Sequence, residues 1–228
     1  MAVKLYQGHS PHLPHAEVNV VIDVIRAFTF AHYAFLQGVK EIVLAGTTDS
    51  AFQMKEEYPE YMLAGETNGL HIDGFDLDNS PVSLLRADLK GKTLVQKTTN
   101  GVKATLNALN ARHVFVTGFT NARITAEHIL KTYGSDQSIQ IIASHPTGDE
   151  DLACAEYMKD ILEHGDSPLA PQIMCRIKAS EAAHKFYDVN RPEFRSGDIE
   201  LCLEPLNTNF VMKVIQTNNL PRIVRVDL

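Results

Sequence analysis

"VNVVIDV" at residues 18–24 runs almost directly into "AFTFAHYAFLQ" at residues 27–37. The first is apolar and β-branched, as in a strand covered on both faces; the second has the spacing of a helix. The pairing recurs. The apolar runs "EIVLA" (41–45), "TLVQ" (93–96), "HVFVT" (113–117), "SIQIIA" (138–143), "IELCL" (199–203) and "RIVRV" (222–226) are separated by helical patterns. Among these patterns are "DSAFQMKEEY", "ARITAEHILKTY", "DLACAEYMKDILEH" and "PQIMCRIKASEAAHKFY". Strands alternating with helices of this length build βαβ units, so the fold class is α/β, a largely parallel sheet with helices on both faces. Residues 1–228 read as one domain; weaker periodicity after about residue 165, where Pro168 and Pro171 open a new helix, is compatible with a second lobe or with one continuous sheet.

The composition narrows the function classes. A chain of 228 residues and 25.3 kDa, 44% hydrophobic and 21% charged, can bury a full core and resembles an ordinary globular protein. No apolar segment approaches the roughly 20 residues of a membrane span, and Met1-Ala2-Val3-Lys4 leads into a strand-like run rather than a signal peptide, so a cytoplasmic protein is expected. A formal charge of −7 without a Lys/Arg cluster excludes a nucleic-acid surface, and any anionic ligand must be held by a few placed cations or a metal. Cys154, Cys175 and Cys202 are odd in number and far apart, and three buried reduced thiols are expected.

In open α/β sheets, ligands bind beyond the carboxyl ends of the strands. Four sets of polar residues follow strands here: Asp23 and Arg26; Lys97, Thr98, Thr99, Asn100 and Gly101; Gly118, Thr120 and Asn121; Ser144 and His145. With parallel strands all four fall on one edge. Each set also has a plainer reading. Asp23 can simply cap the following helix with Arg26 as its salt-bridge partner, although an arginine in a first helical turn is unfavourably placed against the dipole unless an anion joins it. "TTNG" can be an ordinary strand-to-helix turn or an anion cradle of hydroxyls and free N–H groups. Thr147 and Glu150 have capping-box spacing, which would leave Asp149, Glu150 and Asp151 as acids of a first helical turn. His9, His12 and His15 are separated by Pro11 and Pro14 and read as a solvated loop.

"GETNGLHIDGFDLDNSP" (65–81) concentrates Glu66, Asp73, Asp76 and Asp78 in a stretch too polar for a core strand. Like charges held close need solvent, basic side chains or a cation. The common nucleotide-binding and hydrolase signatures are absent, and Asp-x-Asp in "FDLDNS" does not end a buried strand as a phosphatase nucleophile pair would.

Read in order, "VVIDVIRAFTF", "LAGETNGLHIDGFDLDNSP", "KTLVQKTTNGVKATLNAL" and "GFTNARITAEHI" resemble the 2-phosphosulfolactate phosphatase family, over roughly residues 20–130. The resemblance implies a magnesium-dependent phosphatase that converts 2-phospho-3-sulfolactate, a small anionic phosphoester, to 3-sulfolactate. Carried over by position, it assigns catalytic roles to Asp23, Arg26, Glu66 and Asp76. Substrate binding falls to Arg26, Asn68, Asn79, Ser80, Thr98, Thr99, Asn100 and Gly101. Asp23, Glu66 and Asp76 become the oxygen ligands of Mg2+, with Asp73 and Asp78 left solvated or outlying. The attacking group is either water or Asp23. Thr67, Asp78, Lys97, Lys103, His145 and Glu156 depart from the family pattern, which leaves another small 2-phosphoacid, or a non-catalytic anion binder, as alternatives. A homo-oligomer is compatible with all of these readings.

Overall fold

A computed structural model describes residues 2–134, 137–218 and 220–228, so Met1 lies outside the described residues. The chain order is β1 (Ala2–Gln7), β2 (Val18–Ile22), α1 (Ala27–Leu36), β3 (Glu41–Leu44), α2 (Thr48–Glu57), β4 (Met62–Thr67), β5 (Leu70–His71), α3 (Pro81–Leu84), β6 (Thr93–Lys97) and α4 (Gly101–Asn107). There follow β7 (His113–Thr117), α5 (Ala122–Tyr133), β8 (Ser138–Ala143), α6 (Asp149–His164), α7 (Ala170–Ala179), α8 (Glu181–His184), α9 (Ser196–Leu203), β9 (Phe210–Thr217) and β10 (Leu220–Asp227).

The strands form one ten-stranded sheet in the order β1-β8-β2-β7-β9-β10-β3-β6-β4-β5. Two parallel blocks, β1-β8-β2-β7 and β3-β6-β4, are joined by β9 and β10, and every pairing across that hairpin is antiparallel. The α/β expectation holds, but the blocks run in opposite senses. In a flat sheet their carboxyl ends would lie on opposite edges. Strands twist by roughly 20–25° per step, so the five steps from β2 to β6 accumulate to about a right angle or more, and the two sets of ends can meet.

What they meet around is α1. Its residues from Ala27 to Phe35 are all buried, as expected of a helix that is apolar on every side. Alternation along the strands sorts side chains between two cores: Val18, Val20 and Ile22 point to one, whereas Val21 joins Phe28, Phe30 and Phe35 in the other. The α1 core also takes Ile42, Leu44, Ala64 and Leu94 from the second block, so the curled sheet closes over the helix. Its polar groups are satisfied internally: Thr29 Oγ1 donates to the Val24 carbonyl at 2.8 Å, and His32 lies 2.8 Å from Thr120 Oγ1 and 3.3 Å from Thr208 Oγ1. Burial lowers the His32 pKa to about 4, so its ring is neutral at physiological pH.

Three expectations need correction. "IELCL" is not a strand but most of α9: Ile199, Cys202 and Leu203 reach two cores at helical spacing, Leu201 packs half-buried against the α1 core, and Glu200 alone of the five is exposed. The acidic stretch begins inside β4: Gly65 has a φ of 149°, and a Cβ there would sit 1.9 Å from the Lys97 carbonyl, so only glycine lets β4 lie against β6. Cys175 is exposed, although Cys154 and Cys202 are buried and all three thiols are free. Among the described residues no helix is long and apolar enough to cross a membrane.

Candidate active site

β2 ends at Ile22, and Asp23 follows with its carboxylate almost enclosed, 6% exposed. Its Oδ1 accepts from the Ala27 N–H at 2.9 Å, and its Oδ2 lies 3.2 Å from Ser144 Oγ beyond the end of β8. From β6, the "TTNG" turn closes on it. A Cβ on Gly101 would fall 2.6 Å from Asp23 Oδ2, so glycine is required where α4 begins. Thr98 Oγ1 accepts from Val102 N–H at 2.9 Å and fixes that first turn.

The end of β4 supplies the second acid. Glu66 Oε1 accepts from Thr99 N–H at 2.5 Å, and Oε2 accepts from Gly69 N–H at 2.5 Å and Thr99 Oγ1 at 3.0 Å. Asn68, at a φ of 54°, donates its N–H to Thr99 Oγ1 at 2.8 Å. The acidic loop is thereby latched onto the "TTNG" turn, and Lys97 secures it by donating to the Glu66 carbonyl at 3.0 Å and to Thr67 Oγ1 at 2.8 Å. Lys97 and Thr67, two departures from the family pattern, therefore pair with each other.

Burial pushes the Asp23 pKa up to about 6; the charges of Glu66 and Glu150 add to this, against the Ala27 N–H and the Ser144 hydroxyl. Asp151 is buried beside it, accepting from Val24 N–H at 2.7 Å and His145 N–H at 3.0 Å, and it lies 3.0 Å from the same Ser144 Oγ. Burial, then Asp23 and Glu150, raise its pKa well above the carboxylate range. Glu150 is buried with Oε2 lacking a hydrogen-bond partner among the described residues. The three acids do stand in the first turn of α6, but the Thr147–Glu150 capping box does not form: α6 is capped by Gly148 without a side-chain bond, and of the three only Asp149 is partly exposed, paired with Arg176.

Arg26 is nearly buried, and its partner is not Asp23. Its Nη1 donates to Asp198 Oδ2 at 2.7 Å and its Nη2 to the Gly69 carbonyl at 3.1 Å. Asp198 is fully buried and also accepts from Ser80 Oγ at 2.6 Å and Val82 N–H at 3.1 Å. The guanidinium carbon lies 4.9 Å from the Phe186 ring centroid. Asp198 and the aromatic segment around it were missed because α9 reads as a strand, and neither belongs to a motif.

Asp23, Arg26, Glu66, Asn68, Asn79, Thr99 and Asn100 line one cavity of about 670 Å³, with His145, Lys185 and Arg191 on its walls. The remaining assignments do not reach it. Ser80 holds Asp198, Thr98 caps α4, and Gly101 is the point of close approach. Gly118, Thr120 and Asn121 are also absent from its walls: Thr120 bonds His32, and Asn121 Oδ1 accepts from Thr117 Oγ1 at 2.9 Å. Glu156 on α6 is ion-paired with Arg176 of α7, and Asp78 accepts from Ser80 N–H at 3.0 Å.

Asp76 is the main correction. Its Oδ2 accepts from Leu63 N–H at 2.7 Å and lies 3.6 Å from Lys55 Nζ, outside the cavity that holds Asp23 and Glu66. Among the described residues no three His, Cys, Asp or Glu side chains are grouped to hold a metal, so the Asp23–Glu66–Asp76 triad does not form. Asp76→Asn should leave kcat/KM within about threefold and cost about 1 kcal/mol of stability, since it weakens one charge-assisted backbone bond and a half-exposed ion pair. Steady-state kinetics beside a urea titration check this; a hundredfold loss of kcat/KM at unchanged stability would return Asp76 to the site.

Enclosed carboxylates beside cations at the strand ends of an α/β sheet define an enzyme site for a small, highly charged anion. The chain belongs to the 2-phosphosulpholactate phosphatase family, whose model matches residues 4–216. A Bacillus subtilis protein named probable 2-phosphosulfolactate phosphatase is 53% identical over 226 residues, 99% of each chain. Proteins of the same name from Deinococcus radiodurans and Caldicellulosiruptor saccharolyticus are 39% and 38% identical, covering 60% and 62% of this chain and 57% and 61% of their own lengths.

Proposed function

We propose that the protein hydrolyses 2-phospho-3-sulfolactate to 3-sulfolactate and inorganic phosphate, with Mg2+ as cofactor. The observation that carries the reading is the convergence of two enclosed carboxylates, Asp23 and Glu66, with Arg26 and Lys185 on one cavity of about 670 Å³. The family match and the full-length relative support the same chemistry.

The residues present fit a hard divalent cation. The donors are all oxygen, and one Ser144 hydroxyl proton lies between the carboxylates of Asp23 and Asp151 and cannot be donated to both. Asp23, held near pKa 6 by burial, and the neighbouring Glu66 need a counter-charge. Two carboxylates suffice, because Mg2+ is commonly held by one or two of them together with water and substrate phosphate. When bound, the cation offsets charge on the phosphoryl oxygens as the P–O ester bond breaks. The chain supplies the rest. Asp198 and Gly69 fix the Arg26 guanidinium on the cavity wall, the "TTNG" turn positions Glu66, and the Phe186 and Phe194 rings keep water from that wall.

Phosphate release from 2-phospho-3-sulfolactate, measured in Mg2+ and in chelator, tests the proposal. Turnover should fall at least about a hundredfold in chelator and return with Mg2+ or Mn2+, since the cation supplies several kcal/mol of charge stabilisation. Full turnover in chelator would remove the metal from the reading. Equal kcat/KM for 2-phosphoacids that lack a sulfonate would move the substrate to that wider class. Free thiols suit a reducing compartment, and with a net charge of −7 the reading includes a cytoplasmic enzyme without a nucleic-acid partner.

A further inference from the structure

Lys185 follows α8 directly and points its ammonium into the cavity. The Nζ lies 4.8 Å from the Phe194 ring centroid and 5.7 Å from that of Phe186, and it is so close to the β4–β5 turn that a Cβ on Gly69 would stand 3.1 Å from it. The neighbouring cations are already engaged. Arg26 is paired with Asp198, Lys97 with the Glu66 carbonyl and Thr67, Arg195 with Ser83 and Asp78, and Arg191 with Glu193. Lys185 is the exception: among the described residues it has no carboxylate within 4.0 Å and no hydrogen-bond acceptor, so the donors of its ammonium on this cavity are unfilled.

This arrangement is unfavourable in the empty site. Burial lowers the Lys185 pKa, and the positive charge of Arg26 lowers it further. Arg26 and Lys185 share the Phe186 ring, at 4.9 and 5.7 Å, so like charges are held beside one aromatic side chain. An unpaired ammonium beside a second cation in a partly dehydrated wall is what an anion would relieve.

We infer that Lys185 is a specificity-determining residue that binds the sulfonate of the substrate, while the phosphoryl end lies toward Asp23 and Glu66. The inference rests on the proposed function for the identity of the substrate. Phosphoryl and sulfonate are both multi-oxygen anions, but only the phosphoryl end has reason to approach two carboxylates, because a divalent cation held by Asp23 and Glu66 would offset its charge there. The sulfonate has no such partner and requires a protein cation. Among the described residues Lys185 is the lysine or arginine on this cavity that has neither an ion pair nor a hydrogen-bond acceptor.

The test measures binding and turnover separately. Binding of 3-sulfolactate by calorimetry should weaken about ten- to a hundredfold in Lys185→Gln and Lys185→Met, the range of one charge-assisted hydrogen bond, and Lys185→Arg should keep most of it. The KM for 2-phospho-3-sulfolactate should rise by a similar factor with little change in kcat, whereas kcat/KM for 2-phospholactate, which lacks the sulfonate, should stay within about twofold. Thermal midpoints should not fall in either neutral variant, since no ion pair is lost. Unchanged 3-sulfolactate affinity in both variants overturns the inference, as does absence of binding to the wild type. An equal loss with both phosphoesters also overturns it and assigns Lys185 to the phosphoryl group. Failure of the proposed function is read elsewhere, in absence of wild-type phosphate release.

Discussion

Asp198→Ala is expected to destabilise the protein by about 3–5 kcal/mol, the cost of removing one partner of a buried ion pair. For a chain of this size that corresponds to a thermal midpoint lower by roughly 6–20 °C. Both side chains of the pair are nearly inaccessible, and Asp198 also serves the Ser80 hydroxyl and Val82 N–H, so three donors lose their acceptor at once. Arg26 would be left charged between two phenylalanine rings with only the Gly69 carbonyl to accept from it. Scanning calorimetry and urea denaturation measure the loss. A drop of under 1 kcal/mol would mean that water replaces Asp198. Arg26→Gln should show the same instability, so a loss of activity in that variant cannot be assigned to substrate contact unless the folded fraction is measured with it.

Asp23→Asn should have the opposite profile. Catalysis is expected to fall by on the order of a thousandfold in kcat/KM, because the enclosed charge nearest the strand end is removed from the reacting centre. The fold should be unharmed, since an asparagine oxygen still accepts from Ala27 N–H and its amide can donate to Ser144 Oγ. The pH dependence follows from the direction of the shift. With its folded pKa raised to about 6, above roughly 4 in an unfolded chain, neutral Asp23 contributes stability that is present below pH 4 and lost as pH rises through 6. In chelator the wild type should therefore lose up to about 3 kcal/mol relative to Asp23→Asn between pH 4 and 7. Thermal midpoints across that range, with and without Mg2+, check the sign. A variant that loses stability along with activity would mark Asp23 as a structural cap of α1.

How far the sequence carries differs by element. β2 and α1 are legible because a strand buried on both faces and a helix buried on all sides announce themselves by continuous apolarity. β9 was not read, since Lys213 interrupts its apolar run and Gln216 and Thr217 extend it as solvated positions. The motifs place Asp23 and Glu66 on one cavity because Asp23 is fixed by a bond within its own turn and Glu66 by bonds to its own turn and to the "TTNG" turn, which is itself a motif. Asp76, from the same stretch, is turned the other way by the Leu63 N–H, which no motif spacing encodes. Asp198 and Lys185 lie roughly 50 residues or more beyond the last recognisable motif, and only the contacts that bring α9 and the segment after α8 to Arg26 give them meaning.

The placement of β9 and β10 bears on how the chain is made. They span residues 210–227, yet they occupy the middle of the sheet, and among the described residues they are the only strands that pair the β7 block with the β3 block. During synthesis both half-sheets emerge from the ribosome before the hairpin that joins them, each with an open, β-branched edge. Such edges recruit other chains. A nascent protein paused or truncated shortly before residue 210 would carry two of them at once, so holdase chaperones should engage it most strongly at that length and release it when the hairpin arrives.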